Sequence, residues 1–243
     1  MNYIKLYEEF NNTFIEKFLD KIGKRLPKFG HAKICFEFGK NSIIKFFQLE
    51  NITEIYNCIQ QRQLNLNILP KIFKIGIIKP KDDEWFQNIF SEYIDKIEID
   101  IREDIYFIIE EKVLFDDELE NELQDIQYYY EDFCKRQGFQ YVNFLRSLQY
   151  DIYKNIKTTL DLKLSYHMNL FKNTLSKTYY IPLFERLIEI YHTLLINDII
   201  ISDSNFDNFG KNKKGDILLI DLADVFGFGK LKNFNEKDLD YII

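Results

Sequence analysis

An α+β fold in two parts, sheet first and helices after, is what this sequence predicts. Three features of the chain point there. Runs rich in β-branched and aromatic residues, Lys33–Phe38 and Ser42–Phe47 foremost, lie in the first 113 residues. The composition shifts after Phe115: residues 116–195 carry long stretches of helical spacing, no strand-like run and one proline, Pro182. The length, 243 residues, suits one large domain or two small lobes sharing a cleft.

The elements follow in order. From Tyr3 to Ile22 the apolar residues fall at Ile4, Tyr7, Phe10, Phe14, Phe18 and Ile22. Steps of three and four predict an amphipathic helix, stopped by Gly23 and Pro27. Lys33–Phe38 and Ser42–Phe47 then flank Gly39-Lys40-Asn41, a hairpin signal. Ile34, Phe36 and Phe38 alternate with Cys35 and Glu37, as in a half-buried strand. Residues 51–66 read as a helix with Ile52, Ile55, Tyr56 and Ile59 along one side. Ile72–Ile78 reads as a strand and Ile105–Ile109 as a buried one. In the second half, Leu183, Leu187, Ile190, Tyr191, Leu194 and Leu195 form a helical stripe. Tyr128-Tyr129-Tyr130 falls in a helical stretch and reads as core and surface packing.

Composition excludes several classes of function. With 46% hydrophobic and 29% charged residues the chain is globular rather than disordered. A formal charge of −7 argues against a nucleic-acid partner. No apolar run approaches the length of a membrane-spanning helix, and the first residues lack a signal-peptide core. Cys35, Cys58 and Cys134 are scattered and odd in number, which suits buried reduced thiols in a cytoplasmic protein. His31, His167 and His192 have no metal-site spacing, so a zinc enzyme is not expected. The 23 Phe and 16 Tyr are expected mostly in the core.

The chemistry concentrates near the end. Asp203 closes a short apolar run, Asn208 lies five residues on, and after a polar turn containing Gly215 the run Ile217–Ile220 delivers Asp221. A loop carboxylate such as Asp203 can orient or deprotonate a hydroxyl. An amide oxygen, Asn208, and a second carboxylate, Asp221, are hard ligands suited to Mg²⁺ and can tie it to phosphate oxygens. Two carboxylates and an amide around one divalent cation suit phosphoryl transfer.

This D-x-x-x-x-N, hairpin, strand and I-D order resembles the protein-kinase-like superfamily. Tyr191-His192 also sits where that family often carries an aromatic–His pair. The resemblance implies a two-lobed protein-kinase-like fold: an antiparallel-sheet N-lobe over residues 1–113 and a helical, shortened C-lobe over 114–243. It implies Asp203 as the catalytic aspartate, with Asn208 and Asp221 as metal ligands. Ser42-Ile43-Ile44-Lys45 is similar to the family's V-A-I-K segment, which makes Lys45 the ligand of the α/β-phosphates. Gly30, in Gly30-His31-Ala32-Lys33, matches the end of a glycine-rich loop. Glu54 is the implied partner of Lys45, with Glu50 a competitor. Glu111 and Val113 fall where the family's hinge holds adenine through the backbone.

The chain also departs from the family. The full G-x-G-x-x-G is absent, Ile201-Ser202 replaces His-Arg, Leu222-Ala223-Asp224 follows Asp221, and there is no A-P-E segment. Asp224 reads as a cap or solvated residue. The expected function is an ATP- and Mg²⁺-dependent phosphotransferase, a serine/threonine-kinase-like enzyme whose acceptor is a protein or small-molecule hydroxyl. The alternative is a catalytically weak pseudokinase serving as a nucleotide- or protein-binding module. A third possibility is a helical interaction protein in which the motif is accidental.

Overall fold

The computed structural model describes residues 20–26, 34–47, 58, 61–62, 64–78, 104–114, 116–159, 164–176, 178–197, 199–201, 205–220, 225–226 and 240–241. The class is α+β: a five-strand antiparallel sheet comes first and four helices follow. The chain divides into two compact units. The first holds the described residues up to Asn65, then Pro70–Lys112 and the last strand; the second holds Leu66–Leu69 and the chain from Val113.

The first unit is a sheet of β1 (Ile22–Leu26), β2 (Ile34–Phe38), β3 (Ser42–Phe47), β4 (Ile72–Ile78), β5 (Ile105–Glu111) and β11 (Asp240–Tyr241). Its order is β1-β2-β3-β5-β4-β11, antiparallel throughout except for β11, which runs parallel to β4. The β2–β3 hairpin turns where expected, with Gly39 at φ 65, a left-handed conformation that glycine adopts without strain. The expected helix reaching Ile22 is corrected at its end: Ile22 opens β1, paired with Phe38. Close pairing with β2 decides this, because a Cβ at Gly23 would stand 3.2 Å from the Glu37 Cβ. Asp20 and Lys21 form a turn before β1, and residues 3–19 of that expected helix lie outside the described residues. Cys58, Gln61, Arg62 and Leu64, from the expected 51–66 helix, are helical.

Strand register sorts the side chains onto two faces. Phe36, Ile44, Phe46, Phe107 and Ile109 share one, where Phe36 and Phe46 meet edge to face. Phe47, Tyr106, Ile108, Ile75 and Ile77 cluster on the other, with Cys58 packed against them. Cys35 lies on this second face and is fully buried. The simple alternation expected for Ile34–Phe38 therefore gives way to a strand covered on both sides at Cys35, a position a small apolar thiol can fill.

The second unit begins with β6 (Val113–Leu114) and four helices: α1 (Asp117–Gln137), α2 (Phe144–Thr159), α3 (Tyr166–Leu175) and α4 (Ile181–Ile196). Asp116 caps α1 by accepting from the Glu118 and Leu119 N–H groups, and Gly138 ends it in the left-handed region. Ser165 caps α3, and Pro182 sits in the first turn of α4. The expected stripe on α4 is buried, and Phe184 and Ile188 are buried as well, so α4 is covered over most of its circumference. Tyr130, Phe133, Phe144, Phe171 and Phe184 form an aromatic centre around it, Tyr130 and Phe171 edge to face at 5.0 Å. Among the described residues the aromatic richness is therefore divided: these rings are core, while Tyr128, Tyr129, Tyr150, Tyr166 and Tyr179 are exposed.

Beyond α4 come β7 (Ile200–Ile201), a 3-10 turn (Phe206–Asn208), β8 (Phe209–Asn212), β9 (Ile217–Leu219) and β10 (Val225–Phe226). They form two small sheets, β6-β8-β9 and β10-β7. Among the described residues, no helix is long and apolar enough to cross a membrane. The three cysteines are free thiols.

Candidate functional site

Lys45 lies in the middle of β3, opposite Cys35 on one side and Ile108 on the other. Its ammonium meets the Glu110 carboxylate of β5 at 2.7 Å, with the two side chains 12% and 4% exposed. The register explains the meeting: Glu110 is two residues along from Ile108, on the same face and diagonal to Lys45. Burial by itself pulls the Lys45 pKa down. The charge and hydrogen bond of Glu110 more than offset this, so the ammonium is held above the ordinary lysine range. Cys35, on the same face, has its thiol pushed up to about 12 by burial, against a smaller opposing effect of Lys45. At the end of β5, Lys112 reaches the Glu37 carboxylate at 2.5 Å.

Glu111 closes β5, opposite Ser42 of β3. Its N–H donates to the Lys71 carbonyl at 2.8 Å, and the Lys112 N–H donates to the Asn41 carbonyl at 3.0 Å. Val113 pairs with Asn212 across β6 and β8. Of the expected hinge residues, Glu111 thus has its N–H engaged, as does Lys112 next to it, and Val113 is held in a strand pair.

In the second unit, Asn208 ends the 3-10 turn and leads into β8. The β8–β9 hairpin pairs Phe209 with Leu219, Gly210 with Leu218 and Lys211 with Ile217. Its turn is built by Asn212, whose Oδ1 accepts from the Lys214 and Asp216 N–H groups, and by Gly215 at φ 84. The hairpin then returns to its start: the Ile220 N–H donates to the Asn208 carbonyl at 2.8 Å. In a separate two-stranded sheet, β7 and β10 pair antiparallel, Ile201 with Val225 and Ile200 with Phe226. Ile201, the last described residue before Asp203, is thus the direct partner of Val225, the first described residue after Asp221.

Asp203 and Asp221 themselves, with Gly30 and Glu54, lie outside the described residues. What is described are their borders: Ile201 before Asp203, and Ile220 and Val225 on either side of Asp221. The main chain thus brings the borders of Asp203 and Asp221 together and joins Asn208 to one of them. Lys45, Glu111 and Val113 are described within their own units. Among the described residues there is no group of three or more His, Cys, Asp or Glu side chains suited to a metal ion. Asn208, a neutral oxygen donor, is the described member of the expected ligand set.

Three supporting residues were not anticipated from the sequence. Glu110 is the described carboxylate on Lys45; the expected partner, Glu54, lies outside the described residues. The signal for Glu110 is a carboxylate at the end of the buried run Ile105–Glu110, one residue before β5 closes, where a charge requires a partner. Gln149 of α2 donates to the Ile201 carbonyl at 2.9 Å and steadies the border of Asp203. Arg186 of α4 donates from Nε and Nη2 to the Ile217 carbonyl at 3.1 and 2.9 Å, fixing β9 on the helix. Neither Gln149 nor Arg186 has a sequence signal, because both act on main-chain carbonyls distant in the chain. His192 is a half-buried residue of α4 whose Nε2 has no hydrogen-bond partner among the described residues.

No family model and no curated relative matches the chain. Among solved structures it is similar to one described as "Medium resolution structure of the bifunctional kinase-methyltransferase WbdD", at 11% sequence identity and a TM-score of 0.36. That match covers 85% of this chain and 34% of the other, so the chain spans well under two thirds of that protein's length.

Proposed function

We propose that the chain is a kinase-like phosphotransferase that uses ATP and Mg²⁺. The observations that carry this reading are the joining of Asn208 to Ile220 and the pairing of Ile201 with Val225. They support a site in which the amide of Asn208 and the carboxylate of Asp221 share one cation, with Asp203 as the catalytic carboxylate. Asn208 and Asp221 would hold Mg²⁺, and their oxygen donors fit a hard cation. The bound metal would neutralise charge on the phosphate oxygens.

In this reading Lys45 offers its ammonium to the α/β-phosphates. Asp203 orients the acceptor hydroxyl and takes its proton as the hydroxyl oxygen bonds to the γ-phosphorus. The bond from that phosphorus to the β,γ-bridging oxygen breaks, and ADP leaves with the electron pair. The acceptor is a protein Ser/Thr or a small-molecule hydroxyl, and the site is expected in a cytoplasmic protein.

The test is transfer of radiolabelled γ-phosphate, with wild type, Asp203→Ala and Asp221→Ala side by side. Turnover in the wild type and its loss in both variants, with circular dichroism unchanged, supports the enzyme. Undiminished turnover in Asp221→Ala refutes it. A second reading, a pseudokinase-type binding module, is favoured by the engaged Glu111 and Lys112 N–H groups, which leave fewer donors for a nucleobase. It predicts no transfer and no thermal shift with millimolar ATP, where a Mg²⁺-dependent shift would favour the enzyme.

A further inference from the structure

We propose that Glu110 is the positioning residue for Lys45, aiming its ammonium from one face of the sheet at a phosphate oxygen. This rests on the reading of Lys45 as a phosphate ligand and adds the group that makes it one. The argument begins with burial. Lys45 shares its face with Phe47, Tyr106, Ile108 and the thiol of Cys35, and it is 12% exposed. An ammonium in such surroundings persists only if a counter-charge stands against it. Glu110 supplies that charge at 2.7 Å and is itself 4% exposed.

Charge state follows from the same contact. Among the described residues, the titratable groups acting on Lys45 are Glu110 on β5, Cys35 on β2 and Cys58 in the helical segment. Burial lowers the lysine's proton affinity, and Glu110 is the largest influence restoring it. With a neutral residue at position 110, the amine loses its proton more readily and with it the attraction for phosphate.

Aim follows from the sheet. β3 and β5 pair through six consecutive positions, Ser42–Glu111 to Phe47–Tyr106. Both charges are carried by this one ladder. Strand register therefore fixes the main-chain positions of both charges, and their contact at 2.7 Å holds the ammonium at Glu110.

The experiment uses the full chain as wild type, Glu110→Gln, Glu110→Asp and Lys45→Met, each checked by circular dichroism. Two quantities are read between pH 6.5 and 9.5. One is the Kd for a methylanthraniloyl-ATP probe with Mg²⁺. The other is the acylation rate of Lys45 by an acetyl N-hydroxysuccinimide ester, followed by peptide mass spectrometry, which needs neither nucleotide nor turnover. In Glu110→Gln, Lys45 should acylate at least about tenfold faster at pH 8, the factor one pKa unit represents. Probe affinity should fall toward that of Lys45→Met at high pH and recover at low pH. Glu110→Asp should restore part of both.

An unchanged acylation profile in folded Glu110→Gln overturns the inference. If Glu110→Gln does not fold, the wild type decides: Lys45 should acylate at least about tenfold more slowly than exposed Lys40 at pH 9, and equal rates overturn it. If the profile shifts while Lys45→Met binds the probe as tightly as wild type, Glu110 controls Lys45 but Lys45 is not a phosphate ligand. That outcome overturns the parent reading, and with it the phosphate-aiming role.

Discussion

Replacing Gly210 by alanine tests how tightly the strand after Asn208 is held. A Cβ at this position would stand 2.6 Å from Val113 Cγ1, 2.8 Å from the Leu114 carbonyl oxygen and 3.1 Å from Ile220 Cδ1. Carbon contacts settle at roughly 3.5–4.0 Å, so the valine methyl must retreat by about 1 Å. The Leu114 oxygen cannot step aside alone, because it belongs to β6, whose two residues pair with Lys211 and Asn212 of β8. Overpacking costs about 1–3 kcal/mol, and a main-chain atom among the clashes favours the upper half of that range. Urea unfolding followed by far-UV circular dichroism reads the loss as a lower midpoint at unchanged slope. Val113→Ala removes Cγ1, so the double variant should be more stable than the sum of the single losses implies. A folded Gly210→Ala variant that loses less than about 0.5 kcal/mol refutes the close-approach argument.

Other outcomes follow from buried groups. Lys45→Met and Glu110→Leu should each destabilise by about 3–5 kcal/mol in urea titrations, and the apolar pair together by much less. Lys45 has a raised folded-state pKa, so its contribution is intact below about pH 10 and is lost only as pH rises further. Equal and additive losses across that double-mutant cycle would show that the pair is not coupled. Cys35, with its thiol pushed up to about 12 by burial, should resist a thiol-specific disulfide reagent at pH 8 until the chain unfolds. Rapid native labelling of Cys35 contradicts its placement. His167 stacks on Phe139 at 4.2 Å, and burial lowers its pKa against a smaller opposing effect of Asp151. Its neutral form is the stable one, so stability should fall as pH drops through the ordinary histidine value near about 6.5. His167→Phe should flatten that slope in thermal melts; an unaltered slope rules the residue out as its source.

Much of the sheet is legible in the sequence because its signals are local. Gly39-Lys40-Asn41 between two β-branched runs gives the hairpin, and Ile72–Ile78 and Ile105–Ile109 are strand runs that the structure keeps as β4 and β5. The α4 stripe is legible for the same reason. What escapes the sequence is non-local. β1 is a strand because Gly23 lets it approach Glu37, and nothing in Ile22–Leu26 itself announces that. β11 has two residues, too few to carry a pattern. At the candidate site, the order Lys45, Asn208 and Asp221 is visible in the chain. Glu110 as the carboxylate on Lys45 is not, because a diagonal contact depends on the β3–β5 register. Gln149 and Arg186 escape as well, since each grips a carbonyl more than 30 positions away.

The return of β11 to the first sheet has a consequence for biogenesis. Unit one is not a continuous piece of chain: Leu66–Leu69 are lent to the second unit, and Asp240–Tyr241 come back from beyond it. During synthesis, β4 emerges long before its parallel neighbour. Until then the edge at Gly76 and Ile77 offers bare amide and carbonyl groups to any strand it meets. The nascent protein must guard this edge while all four helices are made. Expression of the first unit as a contiguous fragment should carry the same exposed edge into solution.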